Sequence, residues 1–221
     1  MSKKGQDTIY YPVSLNIRGR KCLVIGGGQV AARKVKGLLE HGAAVEVISP
    51  ELCPELADLT GNGEITARTR EYRSGDLEGV FMAIIATDDS RVNREAAAEA
   101  RKRAVLVNVV DNAEESDFIA PSHLRRGAIS IAISTSGKSP ALARKLRIRL
   151  EEEFGEEYAR LASLLSAVRA EVMEKKLKIN GEVWQQAIDL DRLIEMLKRG
   201  EDEEARTTVL AKLEAGERLS Q

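Results

Sequence analysis

Three glycines interrupt an apolar run at VIGGGQVAARK, residues 24–34, and their spacing is the first chemical signal in the chain. Gly26, Gly28 and Ala31 fit the pattern G-x-G-x-x-[G/A]. The first position permits a tight turn and the second lets a pyrophosphate approach the backbone. The third must be small so that a helix can lie close against a strand. The helix that opens at Gln29 and Val30 presents free N–H groups and a partial positive charge to phosphates. Because the pattern follows a strand and opens a helix, it points to dinucleotide binding. The next strand ends in Ile48-Ser49-Pro50-Glu51, where an Asp or Glu usually grips the ribose. Ser49 can bond a ribose hydroxyl, though more weakly than a carboxylate, and Glu51 can serve instead. No Arg or Lys stands in that segment to receive a 2′-phosphate, and Glu51 would repel one. NAD is therefore expected rather than NADP. Thr87, in Ala86-Thr87-Asp88, ends another strand on the same sheet edge and is expected beside the cofactor.

A residue acting on a substrate should stand on that edge too. Asp111 follows the apolar run AVLVNVV directly. A carboxylate there can be a general base, a substrate anchor or a metal-binding group. Equally, Asp favours turns, and Asp111 can simply cap the turn with Asn112. Spacing leaves both readings open. TSGKSP, residues 135–140, combines hydroxyls, a glycine and a helix start, which makes an anion site. It is also an ordinary turn before a solvated basic face carrying Arg144, Lys145, Arg147 and Arg149. No tyrosine has a lysine four residues on, which removes one common dehydrogenase arrangement. His41 ends the first helix, away from the cofactor, and His123 lies in a polar loop. Cys22 and Cys53 are far apart and form no CxxC, so two reduced thiols are expected and no Cys or His metal site.

The elements that must position these residues read as follows. Lys21–Ile25 is a buried strand, Gln29–His41 a helix stopped by Gly42, and Ala44–Ile48 a second strand. Pro50–Leu59 reads as a short helix, Gly61–Gly63 as a turn and Ile65–Arg70 as a third strand. Phe81–Ala86, a helix over Asp89–Arg103, and Ala104–Val110 complete an alternating pattern. It predicts a Rossmann-like, doubly wound parallel sheet over residues 1–113. Residues 114–150 form a small α/β region, with strands at Phe118–Ile119 and Ile129–Ser134 joined by a loop around Ser122–Gly127. A helix there starts at Ser139-Pro140 and ends near Phe154. Residues 151–221 read as a helical domain broken near Asn180-Gly181 and at Gly200, with the charged stretch 201–221 expected to fray.

The totals narrow the class. The 221 residues are 43% hydrophobic and 31% charged, which fits a globular chain and argues against disorder. A net charge of −1 gives no general attraction to nucleic acid or membrane surfaces. No apolar run reaches the roughly 20 residues of a membrane span, and the polar N-terminus lacks the apolar core of a signal peptide. The cytoplasm is the expected compartment.

Four segments in order, GGGQVAARK, ATDD, NVVDNAEESDFIAPS and ISTSGKSPALARKLR, resemble the precorrin-2 dehydrogenase family, also called siroheme synthase after its fused form. YYPVSLNIRGRKCLVIGGG resembles it as well, and the likeness is close over residues 9–150. The resemblance implies oxidation of precorrin-2 to sirohydrochlorin with NAD⁺, on the way to siroheme or cobalamin. It implies an NAD-binding domain, a dimerisation region and a helical domain, in a homodimer. Asp111 matches the family residue taken to be catalytic. Gln29, Val30, Ser49, Pro50 and Glu51 match the cofactor segments, so the missing ribose carboxylate becomes a family trait. The substrate is rich in carboxylates, for which Lys138, Arg144 and the helix start at Ser139 are suitable neighbours. Some relatives also insert Fe²⁺ into sirohydrochlorin, and Fe²⁺ or Co²⁺ would then be a further substrate. The fused methyltransferase domain is not expected within 221 residues. A non-catalytic NAD-sensing module would use the same glycine turn, but would need neither NVVD nor TSGKSP.

Overall fold

The computed structural model describes residues 9–219; residues 1–8, part of the polar N-terminal segment, and 220–221 fall outside it. The chain divides into two compact units, one running to Ala120 and the other from Pro121.

The first unit holds β1 (Lys21–Ile25), α1 (Gln29–Glu40), β2 (Ala44–Ile48), α2 (Pro54–Gly61), β3 (Thr66–Arg68), β4 (Met82–Ile85), α3 (Ser90–Arg103) and β5 (Leu106–Val109). The strands form one parallel sheet in the order β3-β2-β1-β4-β5. Strands with apolar residues on both faces must be covered on both sides. Ala31, Val35 and Leu56 of α1 and α2 pack with Val24, Val47 and Ile84 on one face. Ala96, Ala97 and Ala100 of α3 pack with Leu23, Ile85 and Val107 on the other. Their small side chains let that helix lie close. The strand order reverses between β1 and β4, so the crevice for a ligand opens at the carboxyl ends of those strands.

Two expectations for this unit are corrected. α2 begins at Pro54, not Pro50, with Cys53 extended before it. Residues 49–53 are drawn instead across the glycine turn, where the Cys53 N–H donates to the Gly27 carbonyl at 2.8 Å. Phe118–Ile119 is not a strand. That segment seals the outer edge of β5: the Asp117 N–H donates to the Val107 carbonyl at 2.8 Å, and the Asn108 amide to the Phe118 carbonyl at 2.9 Å.

The second unit opens with an antiparallel hairpin, β6 (Ser122–Arg126) and β7 (Ile129–Ile133), turned at Gly127 with φ 54°. β6 occupies what reads as loop in the sequence, because only Leu124 of its five residues is buried. Five helices follow: α4 (Pro140–Glu153), α5 (Glu156–Glu174), α6 (Gly181–Ala187), α7 (Leu190–Lys198) and α8 (Asp202–Leu219). Leu161, Val168, Leu193, Leu197, Val209 and Leu213 share the core of α5, α7 and α8. The charged C-terminal stretch therefore does not fray over its described part. α8 keeps its charges outward and buries Ala205, Val209 and Leu213 at four-residue spacing. No described helix is long and apolar enough to cross a membrane.

The β3 edge is tied by charge. Buried Glu46 on β2 pairs with Lys21 at 3.0 Å and with Arg68. Buried Asp76 takes two hydrogen bonds from Arg70, at 2.6 and 2.7 Å, one from Arg68 at 3.1 Å and one from the Arg73 N–H at 2.8 Å. The Arg70 hydrogen bonds, with help from the Arg73 N–H and Arg68, hold the Asp76 carboxyl below the usual carboxylate range against the opposing effect of burial. A depressed folded-state pKa stabilises the fold above the unfolded value and loses that stabilisation as pH falls through the folded one. Thermal unfolding should therefore find Asp76→Asn less stable than wild type at about pH 6, with the gap narrowing toward about pH 3. A gap independent of pH would mean the Asp76 charge does not hold this edge.

Candidate cofactor site

The glycine turn is packed from below and open above. The Gly26 N–H donates to the Ile48 carbonyl at 2.9 Å, and the Ala86 N–H to the Ile25 carbonyl at 2.7 Å, so the ends of β1, β2 and β4 converge on it. Gly26 has φ 121°, a conformation that favours glycine, and a Cβ there would run into the Ala86 carbonyl. A Cβ on Gly27 would strike the Glu51 carbonyl and sit 2.7 Å from the Ser49 hydroxyl. Gly28 differs. Its backbone is extended, with φ −85°, and a Cβ there would meet nothing within 4 Å. Gly26 and Gly27 are glycines for packing, whereas Gly28 leaves space.

That space is a cleft of about 430 Å³ at the carboxyl edge of the sheet. It brings together Gly26, Gly28, Gln29, Val30, Ser49, Pro50 and Thr87 of the residues expected from sequence. Ala31 lies behind it, fully buried against the sheet as the third motif position requires. Glu51 supports Gly27 from below through its carbonyl, and its residue is exposed. Glu71, Tyr72 and Val92 also line the cleft, and sequence patterns did not single them out. A larger cleft, about 520 Å³, runs between Tyr72 and the outer side of α3. Its central carboxylate, Glu99, is already bonded to the Tyr72 hydroxyl at 2.6 Å, the Gly75 N–H at 3.0 Å and Arg103 at 2.7 Å, so we assign the chemistry to the glycine cleft.

The donor set fits a dinucleotide. Gly28 is the N-cap of α1, no side chain caps that helix, and its first turn faces the open side of Gly28. Uncapped N–H groups at a helix start bind phosphate. Val30, 36% exposed, offers an apolar surface beside them. Thr87 turns its hydroxyl toward the Asp89 N–H at 2.8 Å, and Asp89 caps α3. Ser49 is buried, and its N–H donates to the Arg68 carbonyl at 3.3 Å.

Asp111 stands just past β5, on the same sheet edge. Its φ is 59°, in the left-handed region that few side chains other than Asn and Asp tolerate. The turn around it is closed by others. The Asn112 carboxamide accepts from the Glu115 N–H at 3.2 Å, and the Ser116 hydroxyl bonds the Asn112 carbonyl at 2.7 Å and accepts from the Val109 N–H at 2.9 Å. Asp111 is left exposed at the apex. Lys34, half-buried on α1, lies within electrostatic reach of it. Burial and the neighbouring Arg33 push the Lys34 ammonium down, and the Asp111 charge pulls it back up. Lys34 sits inside the GGGQVAARK segment, but nothing in its spacing distinguishes it from a surface lysine.

In the second unit, Ser139 is the N-cap of α4 and its hydroxyl accepts from the Leu142 N–H at 3.2 Å. The Thr135 hydroxyl accepts from the Ser139 N–H at 3.0 Å, which fixes the turn before it. Lys138 and Arg144 are exposed around this helix start. Of the remaining candidates, His41 pairs through Nδ1 with the Gly37 carbonyl at 2.7 Å. The Cys22 thiol is fully buried and pushed up to about 11 by that burial, which makes it inert at neutral pH. Among the described residues no cluster of three His, Cys, Asp or Glu could hold a metal ion.

The different jobs of the glycines give a direct test. Gly28→Val should fold with wild-type stability and lose nearly all NAD binding by calorimetric titration. Gly27→Ala should instead lower the unfolding temperature, because the Glu51 segment must move. Wild-type NAD affinity in Gly28→Val would make the turn structural only.

Comparison with known proteins agrees with this geometry. A family model described as putative NAD(P)-binding matches residues 13–122, and one described as sirohaem biosynthesis protein central matches residues 126–153. Siroheme synthase of Chromobacterium violaceum is 38% identical over 94% of this chain and 44% of its own length. Siroheme synthase of Nitrosomonas europaea is 44% identical over 75% of this chain and 35% of its own. The chain thus spans less than half the length of the curated relatives it matches. A solved structure titled SirC, precorrin-2 dehydrogenase, matches with TM-score 0.72 and 29% identity, covering 90% of this chain and 99% of that one. The likeness runs through both units, and the chain belongs to the siroheme synthase and precorrin-2 dehydrogenase family.

Proposed function

We propose that the chain is an NAD-dependent oxidoreductase that converts precorrin-2 to sirohydrochlorin, as a cytoplasmic homodimer. The observation that carries the reading is an exposed carboxylate, Asp111, on the same strand edge as a glycine turn open to a dinucleotide. Family membership and the SirC likeness support the substrate, and nothing observed favours a sensing module without a catalytic carboxylate.

NAD, when bound, supplies the hydride acceptor. The open side of Gly28 and the first turn of α1 would hold its pyrophosphate, and Val30 would offer it an apolar surface. Loss of a hydride from carbon must be matched by loss of a proton, and Asp111 takes that proton at a carboxylate oxygen. Lys34 answers the negative charge at Asp111 from α1. In the second unit, the exposed cations Lys138 and Arg144 and the helix start at Ser139 are groups suited to binding carboxylates, in which the tetrapyrrole is rich. Leu142 and Leu146, one turn apart on α4 and 49% and 40% exposed, support the homodimer as apolar residues that a second copy would cover. Glu51 and the absence of a cation from residues 48–51 favour NAD over NADP.

An anaerobic absorbance assay tests the reaction. Sirohydrochlorin should form from precorrin-2 only when NAD⁺ is present. Asp111→Ala should keep NAD affinity within about twofold and slow the conversion by roughly 100-fold or more. Full activity in that variant would remove Asp111 from the proton step. Repeating the assay on sirohydrochlorin with Fe²⁺ or Co²⁺ reads whether metal insertion is a second activity.

A further inference from the structure

Two arginines adjoin cleft-lining residues in register or in sequence, although neither lines the cleft and residues 48–51 contain none. Ile48 of β2 pairs with Arg68 of β3, and Ser49 donates its N–H to the Arg68 carbonyl. Glu71 and Tyr72 line the cleft with Ser49 and Pro50, and Arg70 immediately precedes them. The Arg70 guanidinium donates to the carbonyl of Glu71, a cleft-lining residue, at 2.8 Å, although Arg70 itself does not line the cleft. A cation on the strand next to the ribose-binding turn is how a fold of this kind accommodates a 2′-phosphate.

Neither arginine is available for that work. Asp76, 8% exposed, grips Arg70 through both carboxylate oxygens and takes Arg68 as well. Glu46 takes the Nε of Arg68. Forked pairing of guanidinium with carboxylate uses the donors that would otherwise clamp a phosphate. Arg73 offers Asp76 its backbone N–H at 2.8 Å, which fixes the carboxylate where the two arginines meet.

We propose that Asp76 is a specificity-determining residue for the cofactor: by engaging Arg70 and Arg68 it denies a 2′-phosphate its cation and selects NAD over NADP. The proposal rests on the cofactor reading above. It differs from that reading in assigning selection to a residue outside the cleft lining, acting through guanidinium occupancy and not only through repulsion by Glu51.

Calorimetric titration of NAD⁺ and NADP⁺ into the full chain tests it with three variants. Wild type should prefer NAD⁺. Asp76→Asn keeps one acceptor for the Arg73 N–H but loses the charge. It should bind NADP⁺ about tenfold more tightly than wild type, with NAD⁺ affinity within about twofold. Adding Arg70→Ala to that variant should cancel the gain. Arg70→Ala alone, which leaves Asp76 to Arg68, should not move the NADP⁺ to NAD⁺ ratio, and this arm stands if Asp76→Asn fails to fold. A folded Asp76→Asn variant with unchanged NADP⁺ affinity would overturn the proposal. So would loss of NADP⁺ binding in Arg70→Ala, which would make Arg70 a free phosphate receptor. Binding of neither nucleotide by wild type would overturn the cofactor reading itself, and is thereby distinct from either failure.

Discussion

The first unit depends on one steric constraint. Three strand ends and the segment after β2 meet at the glycine turn with no room for two Cβ atoms. The hydrogen bonds from Gly26 to Ile48, from Ala86 to Ile25 and from Cys53 to Gly27 all require that approach. It sets where β2 ends, why residues 49–53 are drawn across the turn and why α2 starts late. The same approach leaves one side of the turn bare, because Gly28 points its missing side chain away from every protein atom. Packing below and vacancy above arise from consecutive glycines with opposite duties, and the helix dipole of α1 then acts on whatever enters the vacancy.

Electrostatics at the two edges of the sheet are arranged differently. At the β3 end, charge is consumed internally: Glu46 and Asp76 are buried, and each is matched by arginine or lysine. Buried carboxylates of this kind are costly unless fully paired, so the arginines are held there as a condition of folding. At the β5 end, charge is displayed. Asp111 is lifted out on a left-handed turn whose hydrogen bonds are supplied by Asn112 and Ser116, and its own carboxylate is left at the apex.

The second unit shows how little periodicity is needed when a helix has a partner. α8 carries charges over most of its length, yet three small or aliphatic residues at four-residue spacing suffice to seat it on α5 to α7. Arg206 to Glu171, Lys175 to Glu214 and Arg160 to Asp202 then bind its polar flanks to α5. Local composition marks this stretch as a frayed end, and the apolar face of the neighbouring helices overrides it.

Much of the fold was legible in the sequence because its signals are local. The apolar strands, the stops at Gly42 and Gly200, the cap at Ser139, the break at Asn180-Gly181 and the glycine motif each depend on a few adjacent residues and on their backbone preferences. The sequence by itself therefore determined the doubly wound sheet, the dinucleotide turn and the place of Asp111 at a strand end. It did not determine β6, whose single buried leucine is no pattern, or the run Phe118–Ile119, which looks like a strand but spends its hydrogen bonds on the edge of β5. Only the tertiary structure decided that Asn112 and Ser116, and not Asp111, close the turn. Only it brought Lys34 near Asp111, and closed Arg70 and Arg68 onto Asp76. These are facts about which partner a charge finds, and a charged side chain is satisfied by whatever folding brings within reach, which spacing along the chain does not encode.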